Sequence, residues 1–218
     1  MTQITDLFDL SGRVALVTGG ATGIGKMGAE ALAAAGARVI VTSRKATGIG
    51  LPDGCEGFAG DVATEEGIKA IGAEIRTRTD KLDILFNNAG AAWGDQLGMF
   101  PHRAWSDILA VNLAGPFGLT QELLPELKRA ASDDHPSRVV NTGSVMGEVP
   151  MGDGAYSYAA SKAAVHHITQ ILAKELAPCR ITVNALAPGP FVSKMTAFAT
   201  ADETTRKKVG TQVPLGRV

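Results

Sequence analysis

The chain has 218 residues with 21 basic side chains against 22 acidic ones, a formal net charge of −1, and 26 glycines. That balance argues against nucleic acid or an anionic membrane as the main partner, because both select a basic face. At 45% hydrophobic and 20% charged the composition excludes wholesale disorder and suffices for a buried core. No run approaches the roughly 18 consecutive apolar residues of a membrane span.

The start, MTQITDLFDLSGR, lacks the basic-then-apolar layout of a signal peptide. Cys55 and Cys179 lie far apart and form neither a disulfide framework nor a metal knuckle, so reduced thiols and a cytoplasmic setting are expected. Strand candidates fall at 13–18 (RVALVT), 38–43 (RVIVTS), 56–59, 82–87 (LDILFN), 138–142 (RVVNT) and 180–186 (RITVNAL). Helix candidates fall at 25–35, 64–79, 101–131 and 156–177, with Thr64 as a cap and Pro101 near a helix start. Apolar strands alternating with helices predict an α/β fold: one doubly wound domain over residues 1–218, its parallel sheet covered on both faces in three αβα layers.

The first strand runs into Gly19, Gly20, Ala21, Thr22, Gly23, Ile24 and Gly25. Gly19 permits the sharp turn, Gly23 lets backbone approach a pyrophosphate, and Gly25 lets the helix lie close to the sheet. The helix N-terminus then offers free N–H groups to phosphate. An ordinary βα turn would need less glycine, and the strand before and helix after favour a nucleotide site. The tip of the second strand reads Thr42, Ser43, Arg44, Lys45 with no carboxylate. A carboxylate there would accept from a ribose 2′-OH, whereas Arg44 forks onto a 2′-phosphate, so NADP(H) is expected over NAD(H).

Tyr158 and Lys162 stand at i and i+4 of a helix pattern, so both leave one face. An ammonium beside a phenol favours the phenolate, which makes Tyr158 a usable general acid for carbonyl reduction. Ser144 follows a strand by two residues, at the carboxyl end where ligands sit in an open α/β sheet. His166 and His167 read as packing or subunit-contact residues. His102 and His135 have no clustered carboxylate or thiol to make a metal site. The absence of a G-x-S-x-G elbow disfavours a hydrolase.

TGGATGIG at 18–25, Asp61-Val62, NNAG at 87–90, Asn112, Ser144, Tyr158-Ala-Ala-Ser-Lys162 and Pro188-Gly189 occur in an order that resembles the short-chain dehydrogenase/reductase family, over residues 10 to 217. Within it, the stretches NNAGAAWG and GAYSYAASKAAVHHITQILAKELA resemble 3-oxoacyl thioester reductases of the rhamnolipid-biosynthesis type. The resemblance implies a Rossmann-type fold and catalytic roles for Asn112, Ser144, Tyr158 and Lys162. Ser144 would bind the substrate carbonyl, Tyr158 would pass the proton, Lys162 would hold the nicotinamide ribose, and Asn112 would anchor a water towards Lys162. Asp61 and Val62 would meet adenine, Asn88, Ala89 and Gly90 the adenosine ribose side, and Pro188, Gly189 and Ser193 the nicotinamide end. An acyl-thioester substrate, an acyl carrier protein as partner, and a homodimer or homotetramer are also implied.

Phe191, Met195 and Phe198 are expected to form an apolar lid, and Arg103, Lys194, Arg206, Lys207 and Lys208 are the candidate basic residues for a carrier protein. The alternatives are a short-chain alcohol dehydrogenase for a small, cyclic or sugar ketone, and a cofactor-binding sensor or scaffold without turnover. Two features depart from the family pattern. The connection from 44 to 61 is short for a parallel crossover with its helix, which takes about a dozen residues or more. The sequence also stops after PLGRV, before a further helix and a seventh, edge strand. Six strands are therefore expected, together with chain omitted at both places.

Overall fold

The computed structural model describes residues 8–45, 50–150, 154–191, 202–211 and 213–217. Within them β1 (Val14–Thr18), α1 (Gly23–Ala34), β2 (Arg38–Ser43), β3 (Cys55–Ala59), α2 (Glu65–Arg78) and β4 (Ile84–Asn87) follow one another. Next come α3 (Arg103–Leu109), a π-helical turn (Ala110–Ala114), α4 (Gly115–Glu122), α5 (Leu124–Ala130) and β5 (Ser137–Thr142). A 3-10 turn (Val145–Gly147), α6 (Tyr156–Leu176), a second 3-10 turn (Ala177–Cys179), β6 (Ile181–Leu186) and α7 (Glu203–Gly210) complete the order.

Among the described residues six parallel strands form one sheet, as the alternating pattern predicts, and their order is β3-β2-β1-β4-β5-β6. β1 is buried at all five positions because helices cover both of its faces. Leu16 joins Ile40, Leu85 and Val139 under Ile71, Leu119, Leu127 and Leu172, which come from α2, α4, α5 and α6. Ala15 and Val17 join Val39, Val41 and Phe86 under Ala29 of α1. The chain runs outward from β1 to β3, then returns to β4 on the other side of β1. This reversal opens a crevice at the carboxyl ends of β1 and β4, where open α/β sheets bind ligands.

Several local signals account for the elements. Thr64 Oγ1 accepts from the Gly67 N–H at 3.0 Å and starts α2, with Glu65 and Glu66 in its first turn. The expected single helix at 101–131 is instead broken into α3, the π turn, α4 and α5. Pro116 has no N–H to give the Asn112 carbonyl four residues back, and the helix widens into π geometry there. Pro125 opens α5 after Leu123 leaves helical geometry at φ −95°, ψ 9°.

Between β2 and β3, residues 50–54 form bends and turns without a helix. The expectation of omitted chain at 44–61 falls in part on 46–49, outside the described residues. The face of the sheet that α1 covers is exposed beyond it, at Arg138, Thr182, Asn184 and Leu186. Cys55 and Cys179 are free thiols. No helix among the described residues is long and apolar enough to cross a membrane.

Candidate active site

The glycine turn is braced from the segment just after β4. Gly19 and Gly23 have φ of +66° and +56°, left-handed backbone that favours glycine. Thr18 Oγ1 accepts from the N–H groups of Asn88 and Ala89, both at 3.0 Å, and Asn88 Nδ2 donates to Thr18 O at 3.0 Å and Gly19 O at 3.3 Å. A Cβ on Gly25 would lie 2.3 Å from Asn88 Nδ2 and 2.5 Å from Gly19 O. Asn88 thus holds the turn closed, and only glycine at 25 admits it. Thr22 caps α1 with extended backbone and no side-chain capping bond. The first amides of α1 lack intrahelical partners, and an anion at the loop would satisfy them. Ala21 and Ile24 flank this N-terminus, with Ile24 packed on the α1-side core. These features fit the pyrophosphate of a dinucleotide.

Beside the turn, Gly19 N–H donates to Thr42 O at 2.7 Å and Gly60 N–H to Ser43 O at 3.1 Å, which ties together the ends of β1, β2 and β3. Ser43 is half-buried, and Arg44 and Lys45 are exposed at the strand tip. Asp61 Oδ1 accepts from the Ala63 N–H at 2.9 Å, which sets the turn after β3. Val62 is chiefly a core residue, and its carbonyl would meet a Cβ on Gly115 at 2.6 Å.

Tyr158, Lys162, Ser144 and Asn112 are linked through α6. Lys162 Nζ lies 5.6 Å from the Tyr158 ring centroid and donates to Thr142 O at 2.6 Å. Burial pulls the Lys162 ammonium down from its ordinary value to about 8. Asn112, in the π turn, accepts at Oδ1 from the Ala91 N–H at 2.8 Å. Its Nδ2 donates to Ala91 O and to Ser161 Oγ, both at 2.9 Å. A Cβ on Gly90 would lie 3.4 Å from Asn112 Oδ1 and 3.8 Å from Lys162 Nζ, so glycine there keeps the space between the two groups open.

Ser144 opens the 3-10 turn after β5. Its Oγ accepts from the Met146 N–H at 3.2 Å, which leaves its own hydrogen to donate elsewhere. Val145 N–H donates to Pro188 O at 3.1 Å, joining this turn to the segment after β6. A Cβ on Gly147 would lie 2.7 Å from the Lys162 carbonyl carbon, so the turn rests on the backbone of α6. Among the described residues, Gly189 has no atom other than its chain neighbours within 4 Å of such a Cβ. Ser193, Lys194, Met195 and Phe198 lie outside the described residues.

Sequence reasoning missed the acceptor for Lys162, which is the Thr142 main chain, and the bracing role of Asn88. It also set aside His166, whose ring is nearly buried against the Ser144 amide. A signal was present: Tyr158, Lys162 and His166 recur every four residues and share one helix face. His167 is exposed. An open apolar cleft of about 520 Å³ lies by the start of α6, lined by Leu97, Phe100, Trp105, Tyr156 and Ala159.

The comparisons with known proteins agree with this geometry. The family described as short chain dehydrogenase matches residues 13–204. The chain is 41% identical over 217 residues to the rhamnolipids biosynthesis 3-oxoacyl-[acyl-carrier-protein] reductase of Pseudomonas aeruginosa, covering 96% of this chain and 85% of the relative. It is 38% identical to the 3-oxoacyl-[acyl-carrier-protein] reductase FabG of Vibrio cholerae, with the same coverages of 96% and 85%. The structure of the Pseudomonas aeruginosa RhlG/NADP active-site complex matches with a TM-score of 0.91 at 40% identity, over 96% of this chain and 85% of that one. With the matched length, the glycine turn and the Ser144, Tyr158 and Lys162 constellation in one crevice, the chain belongs to the short chain dehydrogenase family.

Proposed function

We propose that the protein is an oxidoreductase that reduces the ketone of a 3-oxoacyl thioester to a secondary alcohol with NADPH. The observation that carries this reading is the placement of Ser144, Tyr158, Lys162 and Asn112 around one strand end beside a glycine turn that fits a pyrophosphate. The substrate class rests on similarity to 3-oxoacyl-[acyl-carrier-protein] reductases at 41% and 38% identity.

Residues 19–25 would hold the pyrophosphate, with Ser43 and Arg44 at a 2′-phosphate and Asp61 and Val62 at the adenine. Asn88, Ala89 and Gly90 would line the adenosine ribose side, and Pro188, Gly189 and Ser193 the nicotinamide end. When bound, the reduced nicotinamide supplies the hydride. Ser144 Oγ, with its lone pair engaged by Met146, donates to the ketone oxygen and orients it. Tyr158 donates its phenolic proton to that oxygen as negative charge builds there. Lys162, as ammonium, stabilises the phenolate left behind and would hold the ribose of a bound cofactor. Asn112 Oδ1 retains a lone pair for a water in the space beside Gly90, which would lead protons towards Lys162.

An acyl carrier protein is the proposed partner, a homodimer or homotetramer the assembly and the cytoplasm the location. Among the basic candidates, Arg206, Lys207 and Lys208 lie exposed on α7, and Arg103 stacks over Trp93 at 5.8 Å. Steady-state turnover with NADPH against 3-oxoacyl thioesters, simple ketones and cyclic or sugar ketones tests the reading. Selective reduction of the thioesters supports it. Preference for small or cyclic ketones makes the protein a short-chain alcohol dehydrogenase of another specificity, and cofactor binding without any turnover makes it a sensor or scaffold.

A further inference from the structure

We infer that His166 is a positioning residue for Ser144, held in one tautomer by Glu148. The inference rests on the proposed reaction for its kinetic consequence, but its geometry stands independently. In the turn after β5, four successive N–H groups have identifiable partners. Val145 N–H donates to Pro188 O, Met146 N–H to Ser144 Oγ, and Gly147 N–H to Ser144 O. Of the four, the Ser144 N–H depends on a side chain from another element, donating to His166 Nε2 of α6 at 3.3 Å. Ser144 is 6% exposed, so water is a poor substitute for that partner.

An N–H donor facing Nε2 requires Nε2 to be the acceptor. The neutral ring then carries its proton on Nδ1, and Nδ1 lies 2.6 Å from Glu148 Oε1. Glu148 therefore selects the tautomer that Ser144 needs. The chain of contacts runs from the Glu148 carboxylate through the imidazole to the backbone of the residue that binds the substrate oxygen. Its span fits the local sequence as well. A Cβ on Gly143 would lie 2.0 Å from His166 Nε2, so glycine at 143 is what lets the ring reach the amide. His166 also stands one turn beyond Lys162 on α6, so one helix face fixes Tyr158, Lys162 and the Ser144 turn together.

The first test is nitrogen-15 NMR of the imidazole at pH 8 in the full chain. The expected result is the proton on Nδ1 in the wild type and loss of that preference in Glu148→Leu. The second compares His166→Leu with His166→Gln, whose amide oxygen can accept the Ser144 N–H. Measured with NADPH and the best ketone, His166→Leu should lower kcat by about tenfold or more, the scale of a misplaced reacting group. NADPH affinity should stay within about twofold of wild type, and His166→Gln should recover most of the loss in kcat. A wild-type ring protonated on Nε2, or unchanged kcat in His166→Leu, overturns the inference. So does a folded His166→Gln no better than His166→Leu. If the wild type reduces no ketone, the proposed function fails while the tautomer measurement still decides this inference.

Discussion

Lys162 Nζ donates to the Thr142 carbonyl at 2.6 Å, from a side chain otherwise buried in the crevice at the end of β5. One main-chain oxygen is a modest partner for a buried ammonium, and burial lowers its pKa from 10.5 to about 8. The unfolded chain holds this proton up to pH 10.5 and the folded chain only up to about 8. Between those values the unfolded state binds more protons, so stability rises with pH; below about 8 the full penalty stands. The penalty is on the order of 3 kcal/mol at neutral pH. Lys162→Met should therefore match or exceed wild-type stability at pH 7 and lose that advantage towards pH 10. Denaturant melts of both proteins across this range, without cofactor, check the sign. A constant difference at every pH would show that the ammonium is not buried as described.

The same group links pH to turnover. In the proposed reaction reduction uses the Lys162 ammonium, so its rate in the chemical step should hold below about pH 8 and fall above it, before cofactor contacts adjust the value. Tyr158→Phe removes the proposed proton donor and should lower the rate by about 10²–10⁴-fold. NADPH binding should change little, because the phenol is not among the phosphate or adenine contacts. Pre-steady-state reduction and a fluorescence titration of NADPH separate the two effects. Retention of most of the activity would remove Tyr158 from its role.

How far the sequence disclosed this arrangement depends on what carries each contact. Tyr158 and Lys162 were legible because helix periodicity alone puts them on one face, and Ser144 because it follows a strand of clear pattern. The glycine turn was legible for the same reason, since glycine at 19 and 23 answers a backbone demand. The Thr142 carbonyl was not, because any residue type supplies one. Nor was the break of the 101–131 helix, where Pro116 acts on a carbonyl four residues away while the apolar pattern continues. Asn88 appeared as part of a ribose lining, yet its amide closes the glycine turn from just beyond β4, seventy residues on from Thr18. Such contacts cross between elements, and spacing along the chain does not record them.

Cofactor choice should follow the β2 tip. Arg44 is exposed there with Lys45 beside it, and no carboxylate opposes a 2′-phosphate. NADPH should be preferred over NADH, and Ser43→Asp combined with Arg44→Ala should reverse the preference. Each change should shift the ratio of kcat/KM values by about tenfold or more, the scale of a hydrogen bond to a charged group. Folding should be unaffected, since the tie between β2 and β3 uses the Ser43 carbonyl and not its side chain. Tighter binding of NADH by the wild type would mean that Arg44 points away from the ribose.

Two glycines should separate the fold from the ligand cradle. At Gly25 an added Cβ would press on Asn88 Nδ2 at 2.3 Å and on the Gly19 carbonyl at 2.5 Å. The second contact is backbone and cannot swing away, so the turn itself must shift. Gly25→Ala should cost about 1–3 kcal/mol of stability, the range of overpacked sites, and weaken NADPH binding with it. At Gly189 no atom of the described residues beyond its chain neighbours lies within 4 Å of an added Cβ, and the residue is not among those with positive φ. Gly189→Ala should therefore leave stability within about 0.5 kcal/mol of wild type. If the nicotinamide end of the cofactor packs on this backbone, the same variant should bind NADPH about tenfold or more weakly, a difference of about 1.4 kcal/mol. Thermal melts without cofactor, paired with fluorescence titrations of NADPH, read both quantities on each variant. A stable Gly189→Ala protein with wild-type affinity would move the nicotinamide away from the segment after β6. A stable Gly25→Ala protein would show that Asn88 does not brace the turn.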